Sequence, residues 1–304
     1  MIEIQRILCP VDFSDCSRRA VDHAMAIAHW YDASVTALHV YPLPPVAAAP
    51  TGPIIMEPML LTVAGREQLL VDTRRLLEVE SAPGIQTDAV IREGSVAAEI
   101  LLQADSMRAD LVVMGTHGRS GVDRWLMGSV TERVLRKSRC PVLTVPPGLP
   151  DAVPAAPVLF KHIVCPVDFS DSSMRALDYA KSLAREGDAE LTVLHVSATE
   201  LDIPFDYPVG ETSLTLAEFQ KRQEEDATQR LEEAARNEEA YTPRTRLTRG
   251  KPWKEILRVS AESNADLIVM GVHGRGVADL MFFGSTTQHV VRQAPCPVLT
   301  IKTQ

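Results

Sequence analysis

The stretch ILCPVDFSD, residues 7–15, recurs as IVCPVDFSD at residues 163–171, 156 positions later. The same shift relates the sequence ADL at 109–111 to ADL at 265–267, and CPVLT at 140–144 to CPVLT at 296–300. Because the shift stays constant from end to end, the chain is one unit written twice. We predict two domains, residues 1–146 and 159–304, joined by a proline-rich linker at 147–158.

The composition is ordinary for a globular protein. Of 304 residues, 45% are hydrophobic and 23% are charged, which excludes wholesale disorder. The net charge of −9 argues against binding to nucleic acid or to an anionic membrane by bulk electrostatics. We find no apolar run of membrane-spanning length and no secretory signal. Four of the five cysteines adjoin apolar runs and are interpreted as buried thiols, whereas Cys16 has polar neighbours. We therefore expect a cytoplasmic protein with no nucleic-acid and no membrane partner.

Short apolar runs alternate with helical patterns within each copy. Strands that alternate with helices of 10–15 residues are typical of an α/β fold with a parallel, doubly wound, Rossmann-like sheet. Such sheets bind ligands at the carboxyl ends of their strands, beside the point where the strand order reverses. In the first copy we predict strands at Ile4–Val11, Ser34–Val40, Leu111–Gly115 and Val142–Val145, and helices at Ser17–Trp30, Ala64–Val79, Ser95–Met107 and Ser129–Lys137, with Ser14 and Asp15 as candidate caps.

A glycine loop follows the strand that ends at Gly115. Glycines there have the spacing G-x-x-G-x9-G-Ser, and the second copy repeats it. A Gly-Ser pair that opens a helix offers N–H groups, a hydroxyl and a positive dipole end to an anion, and Arg119 and Arg275 add guanidinium groups for phosphate oxygens. The loop is neither a Walker A motif nor a dinucleotide fingerprint. The alternative is that its glycines only form a turn, with Ser129 as the N-cap of the helix.

An aspartate follows the first strand of each copy in the sequence Pro-Val-Asp, at Asp12 and Asp168. Its carboxylate could accept hydrogen bonds from ribose hydroxyls or from an adenine amino group. The alternative is that it caps the helix that follows. Val40 and Val196 end the next strand, where backbone groups could bind an adenine edge, although their side chains are otherwise plain core.

These features together resemble the universal stress protein family. The resemblance rests on the strand that ends in Pro-Val-Asp, on the glycine loop and on the closing strand CPVLTV, and it covers nearly the whole chain in the family's tandem form. It implies a five-stranded parallel sheet in each domain with helices on both faces. It also implies ATP binding, with magnesium held mainly by phosphates and water. The domains would pair through their closing strands, and a homodimer is possible.

The resemblance places the adenosine near the aspartate and the phosphates along the glycine loop. One departure is Gly276-Val277, where the first copy has Ser120-Gly121. The candidate nucleotide-binding residues of the first copy are Pro10, Val11, Asp12, Val40, Met114, Gly115, His117, Gly118, Arg119, Gly128, Ser129, Val130 and Thr131. Those of the second are Pro166, Val167, Asp168, Val196, Met270, Gly271, His273, Gly274, Arg275, Gly284, Ser285, Thr286 and Thr287.

Three functions fit the sequence. The first is an ATP-binding stress-response or regulatory protein whose conformation or partner binding responds to nucleotide. The second is a slow ATP hydrolase or adenylyl-transfer enzyme, against which stands the lack of a base placed to activate water. The third is an interaction scaffold that binds no nucleotide. His39 and His195 lie in apolar strands and are interpreted as core histidines, and no cluster of residues has the spacing of a zinc site.

Overall fold

In the part of the chain that the structure describes, each copy of the repeat folds into five parallel strands that alternate with four helices. The computed structural model describes residues 2–43, 61–78, 84–117, 127–147, 160–197, 216–236, 243–272 and 284–302. The chain divides at Phe160 into two compact units, called unit 1 and unit 2 below. The predicted α/β fold with parallel sheets is confirmed. None of the helices in the described ranges is both long and apolar enough to span a bilayer.

Unit 1 has the element order of a doubly wound domain. Its strands pair in parallel in the order β3-β2-β1-β4-β5, so the strand order reverses between β1 and β4. The elements are β1 (Arg6–Val11), α1 (Asp15–Tyr31), β2 (Ser34–Pro42), α2 (Val63–Leu77), β3 (Thr87–Gly94), α3 (Val96–Ser106), β4 (Leu111–Gly115), α4 (Ser129–Lys137) and β5 (Val142–Val145).

Unit 2 repeats this topology. Its strands pair in parallel in the order β8-β7-β6-β9-β10, and the order reverses between β6 and β9. The elements are β6 (His162–Pro166), α5 (Asp171–Gly187), β7 (Glu190–Ser197), α6 (Leu216–Ala235), β8 (Arg244–Arg249), α7 (Pro252–Glu262), β9 (Leu267–Gly271), α8 (Ser285–Gln293) and β10 (Val298–Ile301).

The predicted elements of unit 1 are present, with small changes at their ends. β4, α4 and β5 begin and end where the sequence predicts, while β1 begins at Arg6 and β2 extends to Pro42. Residue-level patterns did not predict β3, whose eight residues include only two buried side chains, Ala89 and Ile91. Its remaining side chains are polar or partly exposed, so no apolar run marks this edge strand.

The first helix of each unit begins directly after the strand that carries the Pro-Val-Asp sequence. Ser14 is the N-cap of α1, and its side chain accepts a hydrogen bond from the N–H of Ser17. Asp32 ends the helix in the left-handed conformation, where its N–H donates to the carbonyl of Ala28. Ser170 and Asp188 cap α5 in the same way. The predicted cap at Ser14 is confirmed, and Asp15 is the first residue of the helix instead.

An aspartate directly before the fourth strand of each unit joins the amino ends of the two strands that flank the reversal of strand order. Asp110, directly before β4, accepts hydrogen bonds from the backbone N–H groups of Gln5 and Arg6 at 3.0 and 2.9 Å. Asp266 makes the equivalent contacts with the N–H groups of Lys161 and His162. Because these bonds join β1 to β4 and β6 to β9, the repeated ADL sequence fixes the register of the strands that flank the switch point.

The cysteines are mostly core residues. Cys9, Cys165 and Cys296 are buried as expected, but Cys140 is half-buried and the interpretation is wrong there. Cys16 has polar neighbours in sequence, yet it is buried as well, and its Sγ lies 3.1 Å from the carbonyl oxygen of Val145. Burial raises the pKa of the Cys16 thiol. This cysteine therefore belongs to the packing between α1 and the sheet.

A buried histidine in α1 makes the stability of unit 1 depend on pH. His23 is 8% exposed, and its Nδ1 lies 2.8 Å from the carbonyl oxygen of Arg19. Burial lowers its pKa, so the unfolded chain takes up a proton that the folded chain does not as the pH falls through about 6.5. The free energy of unfolding should therefore decrease as the pH is lowered below 6.5. This group contributes at most about 1.4 kcal/mol per pH unit to the decrease.

We expect His23→Gln to flatten this slope between pH 6.5 and pH 5 in urea unfolding. The matched control is His29→Gln, which changes an exposed histidine of the same helix and should flatten the slope less than His23→Gln does. Equal slopes for the wild type and His23→Gln would contradict the assignment.

Candidate functional site

A cavity of about 400 Å³ opens in unit 1 where β1 and β4 end. This position, at the carboxyl ends of the strands beside the reversal of strand order, is where doubly wound sheets bind ligands, and the volume is within the usual range for a small-molecule site. The structure brings together eleven predicted residues around this one cavity. They are Pro10, Val11, Asp12, Val40, Met114, Gly115, His117, Gly128, Ser129, Val130 and Thr131.

One side of the cavity is aliphatic. Leu38, Val40 and Pro42 of β2 line it together with Val96 and Ile100 of α3. The prediction that Val40 ends its strand is wrong, because β2 continues for two residues beyond it. A wall of this kind can enclose the flat, weakly polar face of a heteroaromatic ring.

Asp12 directly follows the carboxyl end of β1, and a closed ring of hydrogen bonds orients it. Ser14 donates twice to Oδ1 of Asp12, from its N–H at 3.1 Å and from its hydroxyl at 2.5 Å. The Ser17 hydroxyl donates to the carbonyl of Ser14 at 2.9 Å, and it accepts from the N–H of Asp12 at 3.4 Å. The carboxylate is therefore held in a fixed direction relative to the start of α1.

The same ring in unit 2 shows that the arrangement belongs to the repeat. Ser170 donates to Oδ1 of Asp168 from its N–H at 3.1 Å and from its hydroxyl at 2.5 Å. The Ser173 hydroxyl donates to the carbonyl of Ser170 at 2.9 Å, and it accepts from the N–H of Asp168 at 3.3 Å. The alternative that the aspartate itself caps the helix is wrong in both units, because the N-cap is the serine two residues later.

Glycine at the end of β4 lets the first turn of α1 approach the sheet. A Cβ at Gly115 would lie 2.8 Å from Sγ and 3.1 Å from Cβ of Cys16. A Cβ at Gly271 would lie 2.7 Å from the carbonyl carbon of Ser172 and 2.8 Å from the backbone nitrogen of Ser173. The contacts below 3.0 Å would force atoms of the helix or of the Cys16 side chain to shift. Glycine at the end of the strand therefore lets the start of the helix, and with it the aspartate turn, lie close to the end of β4.

The first turn of α4 is fastened to the end of β4. The Gly128 N–H donates to the carbonyl of Thr116 at 2.9 Å, and the Thr131 hydroxyl donates to the carbonyl of Gly115 at 3.0 Å. In unit 2 the N–H of Gly284 and the hydroxyl of Thr287 make the corresponding bonds to Val272 and Gly271. The helix amino terminus therefore lies against the cavity as part of the rigid sheet edge.

No side chain in the described part of the chain caps α4 or α8. The N-cap residues are Gly128 and Gly284, and neither helix has a side-chain hydrogen bond at this position. The alternative that Ser129 is the N-cap is wrong, because Ser129 is the first residue of the helix. The leading N–H groups of α4, beside the Ser129 hydroxyl, provide a positive pole to which an anion can bind.

His117 lines the cavity beside the end of β4, with its Nδ1 2.9 Å from the hydroxyl oxygen of Thr116. None of the described lining residues is lysine or arginine, and Asp12 is the one acidic residue among them. The predictions for Gly118, Arg119, His273, Gly274 and Arg275 lie outside the described residues. Among the described residues, we find no group of three or more histidine, cysteine, aspartate or glutamate side chains that could hold a metal ion.

The remaining predicted residues of unit 2 occupy the same places in its sheet. Pro166 ends β6, Val167 and Asp168 follow it, and Val196 lies one residue before the end of β7. Met270 and Gly271 end β9, and Ser285, Thr286 and Thr287 form the first turn of α8. The two units differ at the second helix residue, which is Val130 in α4 and Thr286 in α8.

Sequence reasoning missed six of the lining residues: Ser17, Leu38, His39, Pro42, Val96 and Ile100. Ser17 had a detectable signal, because the spacing Asp-x-Ser-x-x-Ser recurs from Asp168 to Ser173. His39 was interpreted as core, and it is buried, but it also forms part of the cavity wall. Val96 and Ile100 come from a helix whose position over the cavity depends on the crossover between β3 and β4.

A doubly wound parallel sheet with a cavity at its switch point defines an α/β protein of ligand-binding architecture. The sequence profile described as the universal stress protein family matches residues 3–146 and 159–302, and the chain belongs to that family. The two matches confirm the tandem form that the repeat predicted.

Relatives are found at both domain and full length. A universal stress protein of Mycolicibacterium smegmatis is 28% identical over 302 residues, which cover 97% of this chain and 96% of that protein. One from Methanocaldococcus jannaschii is 37% identical over 142 residues, covering 46% of this chain and 81% of that protein. The crystal structure of a universal stress protein from Archaeoglobus fulgidus superposes with a TM-score of 0.66 at 25% identity, covering 98% of both chains.

Proposed function

We propose that this chain is an ATP-binding regulatory protein of the stress response, with one nucleotide site in each unit. The observation that carries the proposal is the composition of the lining of one cavity. It joins an aliphatic surface, an oriented carboxylate and a helix amino terminus without a side-chain cap. Those three parts correspond to the three parts of a nucleotide, which are a flat base, a sugar with hydroxyl donors and a phosphate chain.

The assignment of each part follows from its chemistry. The aliphatic side formed by Val40, Val96 and Ile100 would pack against adenine. The Asp12 carboxylate can only accept hydrogen bonds, so it suits the ribose hydroxyls or the adenine amino group. The N–H groups at the start of α4 and the Ser129 hydroxyl would bind phosphate oxygens. Bound magnesium would screen the phosphate charge, held mainly by the phosphates and water.

The same contacts favour binding over rapid turnover. Among the described lining residues, Asp12 is the one carboxylate, and its Oδ1 is occupied by two hydrogen bonds from Ser14. A general base must reach the attacking water at the phosphate end, whereas Asp12 lies beside the start of α1. We therefore propose that nucleotide binding changes conformation or partner binding, and that hydrolysis is at most slow. The pairing of the domains through their closing strands, and a homodimer, remain predictions.

The test is to denature the purified full chain and identify any released nucleotide by chromatography and mass spectrometry. We expect ATP at up to two molecules per chain. Protein that emerges empty should bind added Mg-ATP in a calorimetric titration. Released ADP or AMP together with turnover that is lost in Asp12→Asn would favour the enzyme. No released nucleotide and no binding of Mg-ATP would overturn the proposal and leave an interaction scaffold.

A further inference from the structure

An aromatic residue in a strained conformation stands directly beside the candidate aspartate in both units. Phe13 has a φ of 64° and Phe169 a φ of 62°. The other residues with positive φ, apart from glycine, in the described ranges are Asp32, Arg108, Asp188 and Asn264, each of which follows a helix. A bulky side chain in the left-handed region is costly, and such strain gathers at functional sites because it holds a group in place.

The ring of each phenylalanine packs against a histidine of the neighbouring strand. The centroids of the Phe13 and His39 rings are 4.7 Å apart with an interplanar angle of 42°, and those of Phe169 and His195 are 4.7 Å apart at 38°. Tilted aromatic pairs at this distance attract each other beyond the burial of their surfaces. The ring contact therefore supplies a reason for a phenylalanine where glycine would be free of strain.

The histidine in turn holds the end of the strand that leads to the aspartate. Nδ1 of His39 lies 2.8 Å from the carbonyl oxygen of Val11, and Nδ1 of His195 lies 2.7 Å from that of Val167. A carbonyl oxygen can only accept, so Nδ1 is the protonated ring nitrogen in both residues. Val11 and His39 are also register partners across β1 and β2, which places this bond at the last rung of the strand pair.

The three contacts enclose the aspartate turn from both sides. The His39 ring donates a hydrogen bond to the carbonyl of the residue before Asp12, and it also packs against the ring of Phe13, the residue after Asp12. The Ser14 hydroxyl donates to the carboxylate of Asp12 itself. In unit 2 a further layer is present, since the guanidinium carbon of Arg230 lies 4.3 Å from the centroid of the Phe169 ring. The turn has no freedom to reorient without breaking a ring contact or a hydrogen bond.

We propose that the Phe13–His39 and Phe169–His195 pairs are positioning devices that preorient Asp12 and Asp168 toward the nucleotide. This inference rests on the proposed function. Preorganisation increases affinity because the ordering of the site is done before the ligand arrives. The phenylalanine acts through the aspartate, so its contribution to binding should vanish when the carboxylate is removed.

The test is a double-mutant cycle on the full chain with Mg-ATP as the probe. One variant carries Phe13→Gly with Phe169→Gly, the second carries Asp12→Asn with Asp168→Asn, and the third combines all four changes. We expect the glycine variant to bind about tenfold more weakly than the wild type, and the combined variant to bind like the asparagine variant. Glycine also relieves the strain, so the melting temperature should change little while the affinity falls.

Rescue separates positioning from bulk packing. Phe13→Tyr with Phe169→Tyr keeps the rings and should restore wild-type affinity. Unchanged affinity in the glycine variant would overturn the inference, as would a tenfold loss that adds in full to the loss in the asparagine variant. If the wild type itself binds no Mg-ATP, the proposed function fails. Positioning is then read from amide hydrogen exchange of Ser14 and Ser17, which the glycine variant should accelerate and which would overturn the inference if unchanged.

Discussion

Replacing Ser129 and Ser285 together by aspartate should weaken the binding of Mg-ATP by about 100-fold or more without destabilising the fold. Each serine is the first residue of a helix that begins without a side-chain cap in the described structure. A carboxylate there occupies the positive pole that we assign to the phosphates. It also repels them by about 3 kcal/mol at 5 Å in an environment of effective dielectric constant 20.

The stability of the same variant should stay constant or rise. An acidic residue in the first turn of a helix gains about 0.3–1 kcal/mol from the helix dipole. Affinity and melting temperature would then move in opposite directions, which a general loss of structure cannot produce. Calorimetric titration with Mg-ATP and a thermal melt of the same sample measure both quantities.

Two controls complete this experiment. Ser129→Ala with Ser285→Ala removes the hydroxyls but keeps the backbone N–H groups, so the loss of affinity should be less than about tenfold. Thr62→Asp places the same charge at the N-cap of α2, a residue that does not line the cavity, and should leave affinity unchanged. Wild-type affinity in the double aspartate variant would show that phosphates do not bind at these helices.

Gly271→Ala should lower the stability of unit 2 by about 3 kcal/mol or more, and Gly115→Ala should cost unit 1 less. The added Cβ at residue 271 meets main-chain atoms of Ser172 and Ser173 at 2.7 and 2.8 Å, and these can move only if α5 moves. At residue 115 the closest atom is the Cys16 sulfur, at 2.8 Å, and the nearest main-chain atom is at 3.2 Å. A side chain gives way more easily than a helix backbone.

Chemical unfolding followed by fluorescence and circular dichroism should resolve this difference. Gly65→Ala in α2 is the matched control, because its added Cβ meets only side-chain atoms, the nearest being Oγ1 of Thr62 at 3.1 Å. Alanine also favours a helix over glycine by about 1 kcal/mol, which offsets the cost of this tight contact, so the variant should change stability little. Equal losses for Gly115→Ala and Gly271→Ala would contradict the expectation that the α5 backbone resists the added Cβ more strongly than the Cys16 side chain does.

The sequence predicts most of the fold because the central strands bear a strong local signal. Val112 and Val113 of β4 are fully buried, as are Leu8 and Cys9 of β1, so each strand is a continuous apolar run. β3 lacks such a run because it lies at the edge of the sheet and alternates buried Ala89 and Ile91 with exposed or half-buried residues. The strand is defined by its pairing with β2, which no local pattern contains.

The residues of the candidate site likewise include some that the sequence could predict and some that it could not. Asp12 and Gly115 could be predicted because each follows or ends a strand at the edge where ligands bind. Val96 and Ile100 could not, because whether they reach the cavity depends on how α3 packs against β2. The strain at Phe13 was equally hidden, since only the backbone angles of the folded turn reveal it.

The covalent link between the two repeats fixes the stoichiometry of the two units at one to one. Separately synthesised domains would instead occur in a ratio set by their expression levels. Here the units can diverge in side chains, as Thr286 has from Val130 and Ser172 from Cys16, while every molecule still contains one of each. If both units bind nucleotide as proposed, every molecule carries two sites whose affinities can differ, whatever the abundance of the protein in the cell.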